Sequence, residues 1–159
     1  MAKKTKQLEQ LWWDWLSTSE RLLRSLHEQT AALTLRQVER VEKINPELSN
    51  LMSLMDEIDL KAVACMQELA EEKGTEPNLR SILQVLEKAD AQQLQAVANR
   101  VIVAGRNVHT VLNKNRALIE NELEYVNGTM ALVAKVAVEQ QGPYQRAVVS
   151  ANLVMNQVA

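Results

Sequence analysis

The chain has 159 residues, enough for one domain and short for two, and 47% of them are apolar. Eighteen basic against twenty acidic residues leave a net charge of −2, without the positive bias of a dedicated nucleic-acid binder. Phe is absent, aromatics reach 3%, and only four Gly and three Pro are present, which excludes a sheet of many short strands and calls for an all-α fold with an aliphatic core.

The first segment opens as "MAKKTKQLEQLWWDWL", which lacks the uninterrupted apolar run of a signal peptide. No stretch approaches roughly eighteen consecutive apolar residues, so no membrane span is expected, and the reading is of a cytoplasmic protein. From Leu8 onward apolar residues recur at spacings of three and four through Trp12, Trp15, Leu22, Leu26, Leu33, Val41 and Ile44, the period of a long amphipathic helix. Trp12 and Trp15 fall in this stripe and Trp13 outside it. Core packing with one protein-contact ring is the plainer reading. Lys3, Lys4 and Lys6 beside the tryptophans also suit a helix lying on a membrane surface.

"INPEL" then predicts a kink or tight turn at Pro46, because proline lacks an N–H and biases Asn45 away from helix. The stripe resumes in phase as Leu48, Leu51, Met52, Met55, Ile58, Ala62, Cys65, Met66 and Leu69, and ends in "EEKGTEPN", where Gly74 and Pro77 mark a turn. Helical periodicity returns at 79 and runs to about 140, with one weak point where Asp90 could cap a new helix. This third segment is expected to lie antiparallel to the two before it, giving an elongated, coiled-coil-like hairpin of about three long helices. Residues 1–140 then form a single domain, and 141–159 an apolar tail with no charge beyond Arg146.

Within the third segment, "NKNRALIENELEYVNGT" carries four asparagines, although helix interiors usually avoid them. A turn of about 100° per residue puts Leu112, Leu118, Ile119, Leu123, Val126 and Met130 on one arc and Asn113, Asn121 and Asn127 opposite. Asn115 falls among the apolar residues. There it is read as a register-setting polar residue of a client-binding or self-pairing face, so that Asn115→Leu should raise stability and loosen specificity.

Enzyme chemistry has little to stand on. His27 and His109 lie far apart without a second ligand at metal spacing, and Cys65 sits in the apolar stripe as a buried, inert thiol. Glu120, Glu122 and Glu124 point to different faces, and no Gly-rich phosphate loop exists. No cofactor and no metal are expected.

"NKNRALIENELEYVNGTMALV", followed by a lone tyrosine in a Gly/Pro context, resembles the FlgN family of flagellar export chaperones. The matching positions are Asn115, Leu118, Ile119, Asn121, Leu123, Tyr125, Val126 and Asn127. "LEQLWWDWL", "SERLLRSLHEQTAAL" and "ERVEKINPELSNLMSLMDEID" are similar to the family's front half. One departure is "GPYQR", where Gly142 and Pro143 precede Tyr144 and no glycine follows, and the apolar ending is also unlike the family's.

The resemblance implies a non-enzymatic cytoplasmic chaperone that holds the terminal helices of the hook-filament junction proteins, hook-associated proteins 1 and 3, and presents them to the type III export gate and its ATPase complex. On that reading Leu112, Asn115, Ile119, Leu123, Val126 and Met130 form the client-binding face, with anchors at the spacings a helix-in-groove contact uses. Tyr144, by the same resemblance, docks the loaded chaperone to the gate. Before a client arrives the face must be shielded by the tail, by a second copy or by a closed conformation. The rival reading is a self-associating coiled-coil scaffold or adaptor with no export role.

Overall fold

The computed structural model describes residues 2–140, and every element among them is a helix: α1 spans Lys3–Thr34, α2 Val38–Lys73, α3 Leu79–Val85 and α4 Lys88–Gln140. Two compact units divide the chain, Met1–Asn115 and Arg116–Ala159. Their boundary falls inside α4, within the stretch expected as one domain.

In the first unit each long helix carries an inward-facing series that alternates steps of three and four, with further buried residues such as Thr18, Ser25 and Ala70 beside it. On α2 the series is Ile44, Leu48, Leu51, Met55, Ile58, Ala62, Cys65 and Leu69. On α1 it runs Thr5, Leu8, Trp12, Trp15, Ser19, Leu22, Leu26 and Gln29, the two tryptophans half-buried. The front of α4 supplies Leu94, Val97, Val101, Ala104, Val108, Val111 and Asn115, of which Val101, Ala104 and Val111 are half-buried. A mean period of 3.5 keeps one face of each helix toward its neighbours along its whole length. Two of the buried α1 hydroxyls are satisfied within their own helix, Thr18 Oγ1 donating to Asp14 O at 2.8 Å and Ser19 Oγ to Leu16 O at 2.7 Å, whereas the buried Thr5 Oγ1 has no hydrogen-bond partner among the described residues.

Two aliphatic clusters result. One joins Leu22, Leu26, Ala32, Ile44, Leu48, Leu51, Met55 and Val108. The other joins Leu8, Ala62, Cys65, Leu69, Ala70, Ile82 and Leu94, with the short helix α3 closing over it through Ile82. Asn78 starts α3, its side-chain oxygen accepting from Ser81 N at 2.8 Å.

The expected break at Pro46 is not where the chain reverses. Pro46 lies inside α2, and the turn sits at 35–37. Gln37 N donates to Ala32 O at 2.9 Å, Arg36 N donates to Leu33 O at 3.2 Å, and Arg36 takes φ 55°. That bond pair is the Schellman closure of a helix end, here with arginine in the left-handed position that glycine usually holds. Gly74 ends α2 in the same way at φ 64°, with Thr75 N donating to Ala70 O at 2.9 Å, and this turn was readable because glycine marks it. Pro46 is tolerated because it is exposed, so water can serve the Glu42 carbonyl that loses its helical donor. Pro46→Ala is therefore expected to stabilise the protein by about 1 kcal/mol, read as a higher denaturation midpoint; an unchanged or lower midpoint would mean that proline at this position is itself required for packing.

Moving the reversal changes the topology. Lys4 Nζ lies 3.7 Å from Glu68 Oε2 at one end, and Gln29 Nε2 donates to Asn45 Oδ1 at 3.4 Å toward the other, so α1 and α2 are antiparallel to each other. Gln93 Nε2 donates to Glu9 Oε1 at 2.9 Å, and Asn115 meets α1 near Gln29, so the part of α4 in the first unit runs parallel with α1 and antiparallel to α2. The weak point near Asp90 is real but falls slightly earlier: Leu86 is extended and α4 starts at Lys88, with Asp90 in its first turn.

Candidate functional site

The face assigned from the sequence is divided by its surroundings. Leu112 is half-buried and packs against the cluster of Leu22, Leu26 and Val108. Asn115 is 1% exposed. Its Nδ2 donates to Leu26 O and to Gln29 Oε1, both at 2.9 Å, and its Oδ1 accepts from Thr30 Oγ1. Gln29 in turn reaches Asn45, so one polar layer links α1, α2 and α4. A buried amide with all these partners sets the register of its own bundle.

In the second unit the same stepping of three and four along α4 gives Ile119, Leu123, Val126, Met130 and Val133. Ile119 is 38% exposed, Leu123 57% and Val126 42%, while Met130 is half-buried. Val133 and Val136 extend this row, at 62% and 45% exposed. They were not among the residues chosen from sequence, although continuing the same periodicity past Met130 reaches Val133. Asn113, Asn121 and Asn127 are exposed, as the helical wheel requires. Single exposed aliphatics are ordinary, but five in helical register make a continuous apolar row.

Elsewhere the candidate chemical groups are occupied or isolated. His27 and His109 are exposed, and among the described residues no three His, Cys, Asp or Glu side chains come together to hold a metal ion. Cys65 is 3% exposed and its thiol donates to Lys4 O at 3.4 Å. Burial, and then the Glu68 carboxylate, push that thiol above the ordinary cysteine range, with the Lys4 ammonium opposing, so thiolate chemistry is disfavoured. Trp12 and Trp15 pack against the clusters while Trp13 stays 40% exposed, its ring 5.4 Å from the Arg100 guanidinium carbon. No helix among the described residues is long and apolar enough to cross a membrane. Tyr144 lies outside the described residues.

The model of the FlgN family, described as FlgN protein, matches residues 1–147. No curated protein and no solved structure matches the chain.

Proposed function

This chain belongs to the FlgN family, a family of flagellar export chaperones, and on that premise we propose that it escorts the hook-filament junction proteins, hook-associated proteins 1 and 3, in the cytoplasm. It binds their terminal helices, keeps them from aggregating and delivers them to the type III export gate and its ATPase complex. The observation that carries this reading is the exposed row Ile119, Leu123, Val126 and Val133 on α4, an apolar strip one helix wide. An amphipathic client helix laid along it would bury its own anchors against these side chains. Asn115 and Leu112 are held in the bundle, which leaves direct client contact to the residues from Ile119 onward.

The direct test is calorimetric titration of the chain with peptides of the terminal helices of the junction proteins. Micromolar or tighter binding with a negative heat-capacity change is expected, because apolar surface is removed from water. No heat and no complex on gel filtration would reject the reading in favour of a scaffold.

Gate delivery has a separate prediction. Tyr144, an aromatic with a polar tip after Gly142 and Pro143, is proposed as the gate contact. Tyr144→Ala should leave the melting temperature and client affinity at wild-type values while gate binding and secretion of the junction proteins fall about tenfold or more, the loss of one interface anchor. Normal secretion, or a loss that follows unfolding, would remove Tyr144 from this role.

A further inference from the structure

The exposed row on α4 and the sequence that follows it are matched in character and length. Beyond Gln140 the chain continues for nineteen residues, 141–159, and its last charge is Arg146. Val148, Ala151, Met155 and Val158 recur at three, four and three, the spacing of one helix face. As helix, residues 147–158 would extend about 18 Å, and the row from Leu123 to Val136 extends about 20 Å. Residues 141–146, with Gly142 and Pro143 to end a helix, can bridge up to about 20 Å, twice the usual distance between packed helices.

We propose that the tail segment 147–158 folds back onto the exposed α4 row Leu123, Val126 and Val133 and covers it as an internal stand-in for a client helix. Two occupants compete for such a row in the isolated protein, the tail and a second copy of the chain. The tail is present at an effective concentration in the millimolar range because its tether is short, whereas a second copy is present at its bulk concentration, about a thousandfold lower in a micromolar solution. A contact as weak as about 0.1 mM would therefore hold the tail on the row about nine-tenths of the time, while leaving the protein monomeric. A segment without charges has a further reason to seek the row, since neither surface can be solvated well alone. If the row takes client helices, as proposed above, each client must displace the tail. That consequence rests on the client reading, but the contact itself does not.

The test needs no client. Amide hydrogen exchange is followed by mass spectrometry in the full chain, in Val148→Asp/Met155→Asp and in Leu123→Asp/Val126→Asp. In the tail variant the sequence of α4 is unchanged, so faster exchange over 119–136, by about tenfold, reports loss of the cover. Reciprocally, the α4 variant should speed exchange over 147–158 by about the same factor, since one contact protects both segments. Exchange over α1 and α2 should be unaffected in both. Unchanged exchange in the two segments would overturn the proposal, and so would protection that fades on dilution from about 100 to about 1 µM, the mark of a second copy. These outcomes are independent of whether any junction-protein helix binds.

Discussion

Leu123→Asp/Val126→Asp is expected to weaken binding of a junction-protein terminal helix at least a hundredfold, equivalent to about 2.8 kcal/mol, with thermal unfolding close to wild type. Both side chains are about half exposed, so little of the first unit's stability depends on them. Substitutions at such positions usually move stability within about 0.5 kcal/mol. In the complex the same carboxylates would lie under a client helix, in an interface from which water is excluded, and burying an unpaired charge there costs several kcal/mol. Isothermal titration for affinity, with circular dichroism for folding, separates the two effects. A folded double variant that binds as tightly as the parent would take the site off this face. Ile119→Asp should act in the same direction, with a smaller loss because it carries one charge in place of two.

Asn115→Leu is expected to destabilise the protein by about 2 kcal/mol, the reverse of what the position's apolar neighbours in sequence suggest. Leucine removes the two donations from Nδ2 and leaves the buried Gln29 Oε1 without its Asn115 donor. Leu26 O and Thr30 Oγ1 are less affected, because the Thr30 hydroxyl, released from Asn115 Oδ1, lies 2.9 Å from Leu26 O and can donate its one proton there. The orphaned Gln29 oxygen is thus the main cost, and a second substitution tests that assignment. In Gln29→Leu/Asn115→Leu no acceptor is stranded between α1 and α4, so the double variant should recover about half or more of the loss. Denaturant melts of the two single variants and the double variant give the coupling. A stabilised Asn115→Leu, or a double variant as damaged as the sum of the singles, would show that the polar layer does not hold the helices in register.

The helical character of this protein and the apolar face of each helix were determined by local sequence alone. The alternation of three and four through Leu48, Leu51, Met55, Ile58, Ala62, Cys65 and Leu69 needs no partner to be recognised, since it reflects only the pitch of the backbone. Gly74 announced its turn because few other residues tolerate a positive φ, and the division of Trp12 and Trp15 from Trp13 followed from the same periodicity. Family membership was legible in the run from Asn115 to Asn127.

Tertiary structure decided the rest. Arg36 carries no sequence mark of a left-handed turn, and its conformation is favoured only because α1 and α2 bury their stripes against each other once the chain reverses there; Pro46, the louder signal, is accommodated on a wet face of α2. Asn115 and Ile119 stand one helical turn apart on the same stripe, and nothing local distinguishes their fates. Asn115 is buried because Leu26, Gln29 and Thr30, 85 to 89 residues earlier in the chain, come to meet it, whereas Ile119 stays exposed. Periodicity states which face of a helix is apolar, and only the packing of distant segments states how much of that face is already covered.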